Sequence, residues 1–193
     1  MSISWDTEPN LHRLREAHDL LAKDPMRALS ELQALADQGS VMSMVYLGYA
    51  YKNGIGVGVD PSKALAWYEH AARSGSVLGL YGLGLMSLDM KQYQKAKESF
   101  KAAVALEHPP SMNMLGKMYY TGLGCKKNIQ TAKDLYQRSA ALGHVFAKRN
   151  LAILLMRGKF GLSKILPGVA LFLLSLKEGF AVSYSDEFSD RLR

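Results

Sequence analysis

The chain has 193 residues, 48% of them hydrophobic and 21% charged, enough for one substantial core, which excludes a disordered or low-complexity protein. A single cysteine, Cys125, excludes an internal disulfide framework and a multi-cysteine metal site. The formal net charge of +7 is uneven: residues 1–39 carry four Lys/Arg against seven Asp/Glu, whereas residues 109–164 carry ten Lys/Arg and one acid, Asp134. Such a field steers an acidic partner without choosing among protein, nucleic acid and lipid.

In chain order, the first stretch, MSISWDTEPNLHRLREAH, has no basic start followed by an apolar run, so a soluble, cytoplasmic protein is expected. Residues 9–39 read as a helical hairpin whose second helix opens on Asp24-Pro25, an N-cap side chain followed by a proline at the first helical position. Residues 40–75 form a second hairpin. In its second helix, Asp60-Pro61 repeats the start signal, and Ala64, Trp67, Tyr68, Ala71 and Ala72 share one apolar face at helical spacing. Between its helices lies NGIGVGVD, with Gly54, Gly56 and Gly58 alternating with Ile and Val. A nucleotide-binding reading of these glycines needs a preceding strand and, for a P-loop, a Gly-Lys-Ser/Thr ending. The segment before Gly54 has helical periodicity and no such ending follows, so Gly54 and Gly56 are expected to permit positive φ in a tight turn.

Residues 76–108 form a shorter hairpin without the glycine loop, and residues 109–143 repeat the second hairpin, with Gly122-Leu123-Gly124-Cys125 under Gly54-Ile55-Gly56-Val57. Cys125 beside Lys126-Lys127 could be a reactive thiol. Its place under Val57 favours a structural side chain tucked beneath the turn. Residues 144–179 form a degenerate copy containing ILPGVALFLLSL, a run too short to span a bilayer. That run reads as a core helix in register with the other second helices, against the alternatives of an interfacial segment or a dimer face. Gly39, Gly75, Gly143 and Gly179 stand where left-handed residues end second helices. Residues 180–193 are expected to cap the last hairpin, with Phe180, Val182, Phe188 and Leu192 inward and Asp186, Glu187, Asp190 and Arg191 outward.

Two markers track one repeat. A small residue recurs at Ala28, Ala64, Ala96, Ala132 and Gly168, in steps of 36, 32, 36 and 36, and a Leu-small pair recurs at Leu47-Gly48, Leu83-Gly84, Leu115-Gly116 and Leu151-Ala152, in steps of 36, 32 and 36. Trp67, Tyr68, Phe100, Tyr136 and Phe172 fill the space between layers. The expected fold is all-α: a right-handed α-solenoid of about five stacked hairpins in one domain.

Ser43, Leu47-Gly48, Tyr51, Gly54-x-Gly56-Val57, Asp60, Trp67-Tyr68 and Gly75 together resemble the Sel-one-like repeat, a relative of the tetratricopeptide repeat with a longer interhelical loop. Residues 111–143 match well, 77–108 look more like a plain tetratricopeptide hairpin, and both ends are divergent. The resemblance implies a non-catalytic adaptor that holds another protein in a groove lined by the first helix of each hairpin. On that register the groove positions are Met42, Val45, Tyr49 and Lys52; Leu78, Tyr81, Leu85 and Leu88; Asn113, Lys117 and Tyr120; and Phe146, Arg149, Ile153 and Met156. Tyr49, Tyr81, Tyr120 and Phe146 would be anchors, and Lys117 and Arg149 would orient a carboxylate. A peptide client with apolar anchors and acidic groups fits this surface. Some of these positions could instead be buried between hairpins.

The alternative is nucleic acid or another anionic surface bound by the basic C-terminal half, which lacks the pattern of a known nucleic-acid module. Self-association is also open. The five histidines have no ligand spacing and no nucleophile–base pair suggests an active site, so neither cofactor, metal nor catalysis is expected.

Overall fold

The computed structural model describes residues 8–158 and 160–181. Among them there are ten α-helices and no strand. Helices α1 (Leu11–Leu20) and α2 (Pro25–Asp37), α3 (Val41–Asn53) and α4 (Pro61–Arg73), and α5 (Val77–Asp89) and α6 (Tyr93–Ala105) form successive hairpins. They are followed by α7 (Pro109–Thr121), α8 (Ile129–Ala141), α9 (Val145–Met156) and α10 (Ile165–Ala181), with a short 3-10 turn at Leu162–Lys164 before α10. The chain divides into two compact units, residues 1–111 and 112–193.

Helix starts follow local chemistry. The Asp24 carboxylate accepts from Arg27 N and the Asp60 carboxylate from Lys63 N, each with a proline at the first helical turn. Ser40 and Ser76 cap α3 and α5 in the same way, through Ser43 N and Gly79 N. Glu8, only 8% exposed, secures the entry to α3 by accepting from Ser40 Oγ at 2.7 Å and Met42 N at 2.8 Å.

The glycine stretch is a turn between helices. Gly54 ends α3 with φ 72° and Gly56 follows with φ 68°, both left-handed. Gly56 faces a second constraint, since a Cβ there would lie 2.7 Å from Pro25 Cβ, at the start of α2.

The core of the first unit follows the repeat markers. Ala28, Ala64 and Ala96 are fully buried, and each admits a neighbouring helix closely. Gly48 lies under the Tyr68 ring and Gly84 under Phe100; an added Cβ would come within 2.9 Å and 2.5 Å of those rings. Burial of an aromatic side chain of this kind contributes about 1.5–3 kcal/mol. In the second unit the same device sets Tyr136 over Gly116, where an added Cβ would meet the ring at 2.7 Å. Ala132, Tyr136, Leu151 and Leu154 form one buried cluster within that unit's core.

One helix end departs from expectation. Gly39, Gly75 and Gly143 have φ of 90°, 84° and 88°, but Gly179 does not end its helix, because α10 continues to Ala181. The run at 165–176 is indeed helical. One face packs on α9, where Gly168 and Ser175 are buried, while Leu166, Leu173 and Leu174 stand exposed. The expected cap lies, beyond Ala181, outside the described residues.

Candidate functional site

In the second unit, α7 and α9 present matched faces. Asn113, Lys117, Tyr120 and Thr121 fall at i, i+4, i+7 and i+8 on α7, and Phe146, Arg149, Asn150, Ile153 and Arg157 follow helical spacing along α9 and its cap. His144 starts α9 by accepting from Ala147 N through Nδ1 at 3.1 Å. Asn150 Nδ2 donates to Asn113 Oδ1 at 2.8 Å and fixes α9 against α7. These residues, with Met114, Leu154 and Tyr136, line a depression of about 370 Å³.

Its electrostatics are one-sided. Lys117, Arg149 and Arg157 line it, and among the described residues no carboxylate does. Arg157 donates to the Tyr120 hydroxyl and lies 5.6 Å from that ring's centroid, and Lys127 Nζ is 5.6 Å from the same centroid. The Arg149 guanidinium sits 5.1 Å over Phe146, which is 38% exposed. Burial pushes the Tyr136 phenol up to about 12, so it stays neutral at pH 7. A cation over a ring at an exposed site gains about 0.5–1 kcal/mol. A hydrogen bond to a charged group contributes about 1.5–3 kcal/mol. Arg149 is held over its ring by the weaker of these, whereas Arg157 also has the stronger kind in its hydrogen bond to the Tyr120 hydroxyl.

The positions expected from sequence divide between the units. Six of them, Asn113, Lys117, Tyr120, Phe146, Arg149 and Ile153, converge on this depression. Lys117 and Arg149 are exposed, Tyr120 and Ile153 half-buried, and Asn113 buried with its amide committed to Asn150. In the first unit, Tyr49, Lys52 and Leu85 are half-buried. Tyr81 requires correction as an anchor: it is 6% exposed, packed against Phe100 at 6.1 Å and edge-on to His108 at 5.2 Å. Met42 and Val45 are likewise core residues, because α3 has neighbours on both sides. Arg157 and Asn150 were missed. Arg157 continues the i+4 series Arg149, Ile153, Arg157, and Asn150 stands four residues after Phe146. Cys125 is half-buried, with Sγ 3.7 Å from the Met118 carbonyl oxygen. Among the described residues no cluster of three or more His, Cys, Asp or Glu could hold a metal ion, and no helix is long and apolar enough to cross a membrane.

A family model described as the Sel1 repeat matches residues 41–76 and 109–144. The chain is 31% identical over 131 residues to an ERAD-associated E3 ubiquitin-protein ligase component, HRD3B, of Arabidopsis thaliana, an alignment covering 67% of this chain and 21% of that protein. It is also 28% identical over 129 residues to the chitin synthase regulator SKT5 of Saccharomyces cerevisiae, covering 63% of this chain and 18% of the relative. The chain thus spans about a fifth of the length of these relatives. Among solved structures, a Sel1 repeat protein from Oxalobacter formigenes superposes with a TM-score of 0.78 at 25% identity, covering 86% of this chain and 70% of that one. Sel1 repeats generally act as protein–protein interaction modules. The all-helical hairpins, the two matched repeats and the structural likeness agree: the chain is a Sel1-repeat protein with an α-solenoid fold of helical hairpins.

Proposed function

We propose that the chain is a non-catalytic scaffold that holds a segment of a partner protein in the depression between α7 and α9. The observation that carries this reading is the pairing of three cations and, among the described residues, no carboxylate with the exposed Phe146 and half-buried Tyr120 rings in one depression of about 370 Å³. The partner segment supplies an apolar side chain for the rings and one or more Asp, Glu or terminal carboxylates for Lys117, Arg149 and Arg157. The interaction role general to Sel1 repeats supports the same reading.

The test is a pull-down from native lysate with the wild-type chain beside a Lys117→Glu/Arg149→Glu/Arg157→Glu variant of matched fold by circular dichroism. Expected is a protein captured by the wild type and lost with the variant, with capture unchanged by nuclease. The reading fails if both forms hold the same proteins. It fails equally if the wild type holds chiefly nucleic acid that salt releases, since nonspecific phosphate binding falls steeply with ionic strength.

A further inference from the structure

The two walls of the depression are held in parallel register. Asn150 Nδ2 donates to Asn113 Oδ1 at 2.8 Å, and Arg157 donates to the Tyr120 hydroxyl. Both links join residues 37 positions apart, so α7 and α9 run in the same direction and each α7 residue stands level with the α9 residue 37 further on. Lys117 is thereby level with Leu154, between Arg149 and Arg157. On the α9 wall, Arg149, Ile153 and Arg157 follow at i, i+4 and i+8, placing a cation, an apolar side chain and a cation along one helix face. At about 1.5 Å of rise per residue, the two arginine Cα atoms are about 12 Å apart along the axis, with Ile153 midway.

That separation selects the form of a bound segment. A helix spans it with acids eight residues apart, an extended chain with acids four apart, since four extended residues rise about 13 Å. The width of the depression decides between the two. Spread over about 12 Å, its volume of about 370 Å³ leaves a cross-section of about 30 Å². A helix about 10 Å across needs about 80 Å². An extended strand, about 4.8 Å from its neighbours in one direction and about 10 Å in the other, needs about 48 Å². The extended form therefore sinks more than halfway into the depression, whereas a helix rides above the rim. Residues i, i+2 and i+4 of an extended chain share one face. Acids at i and i+4 then meet the two arginines, and the side chain at i+2 meets Ile153.

We propose that the depression selects an extended partner segment of the pattern acid-x-apolar-x-acid, with its two carboxylates on Arg149 and Arg157 and its central apolar side chain on Ile153. Lys117, level with the centre of that segment on the opposite wall, adds its charge to either carboxylate. The pattern reads the same in both chain directions, so it holds whichever way the segment lies. This inference rests on the partner-segment reading and specifies the spacing that reading leaves open.

The test titrates four end-blocked peptides into the isotope-labelled full chain, with affinity read from the amide shifts of α7 and α9. Between Gly-Ser flanks they carry Glu-Ser-Leu-Ser-Glu; Glu-Glu-Leu-Ser-Ser, of equal composition; Glu-Ser-Ser-Ser-Leu-Ser-Ser-Ser-Glu, with helical spacing; and Gln-Ser-Leu-Ser-Gln. The first is expected to bind about tenfold tighter than each of the others, the effect of one charge-assisted hydrogen bond made or lost. Arg149→Gln and Arg157→Gln should each remove most of that advantage while leaving amide shifts outside the depression unchanged. Equal affinity for the first two peptides overturns the spacing. The partner-segment reading still stands in that case if the double variant Arg149→Gln/Arg157→Gln loses both. Tighter binding of the nine-residue pattern overturns the proposal in favour of a bound helix. No advantage over the glutamine peptide overturns it as well, and the lysate capture then decides the partner-segment reading on its own.

Discussion

The two compact units handle their cations differently. In the first, Arg13 pairs with Glu31 at 2.7 Å, Lys63 with Asp60 at 3.7 Å while also lying 5.2 Å over the Tyr51 ring, and Arg73 and Lys95 both reach Glu69. In the second, Lys148 pairs with Glu178, but Arg149 lies over Phe146, Arg157 and Lys127 over Tyr120, and Lys133 over Phe160 at 4.7 Å. The cause is compositional, because residues 109–164 offer only Asp134 as a carboxylate. With few acids nearby, these cations settle on aromatic rings, Arg157 also donating to the Tyr120 hydroxyl. Arg13, Lys63, Arg73 and Lys95 of the first unit thus reach carboxylates, whereas Arg149, Arg157, Lys127 and Lys133 of the second lie against rings. The proposed binding role rests on that contrast more than on the repeat itself.

The contrast can be broken most forcefully at the aromatic residues that fill each unit. Phe100→Ala and Tyr136→Ala each remove a buried ring and are expected to cost about 3 kcal/mol, read from urea midpoints. Client capture at temperatures where both variants remain folded should be lost only with Tyr136→Ala, since Tyr136 lines the depression and Phe100 belongs to the first unit. Equal losses would remove the distinction between the units.

A smaller effect comes with alkaline pH. Burial raises the Tyr136 phenol from its ordinary 10 to about 12 and moves Tyr46 in the same direction. The folded state therefore keeps a proton that the unfolded chain loses near pH 10. The associated stability is fully present below pH 10 and falls as pH rises toward 12. The loss due to Tyr136 is on the order of 2 kcal/mol. Tyr136→Phe should flatten that part of the decline in denaturant titrations at pH 9 to 12 and leave the share due to Tyr46.

The smallest stability change sharpens the comparison further. Arg13→Ala removes an exposed carboxylate pair and Arg149→Ala a ring-stacked cation, and each should shift stability by no more than about 1 kcal/mol. Only Arg149→Ala should weaken client binding, by about tenfold or more in titration calorimetry with the captured segment.

Much of this was legible in the sequence. Ala28, Ala64, Ala96 and Ala132 marked close helix approach, Asp24-Pro25 and Asp60-Pro61 marked helix starts, and Gly54 and Gly56 marked a turn, because each follows from local sterics and hydrogen bonding. Exposure was harder to read. Tyr81 and Arg149 occupy equivalent register positions, each two residues before its Leu marker, yet Tyr81 is buried by Phe100 and His108 while Arg149 reaches the depression. That difference depends on which neighbours pack there, which helical periodicity does not encode. Arg157 lay one step beyond the register used to place the groove. The exposed face of α10 was hidden for the same reason, since an apolar run reads alike whether or not something covers it.

The most direct test of the central claim places a photo-crosslinking benzoylphenylalanine at Phe146, with a control at exposed Leu106 of the first unit, in the presence of the captured client. The account predicts crosslinks at position 146 alone, to one client segment carrying an apolar residue beside Asp, Glu or a terminal carboxylate. Equal crosslinking at both positions, or crosslinks at 146 to a segment without acidic groups, would contradict it.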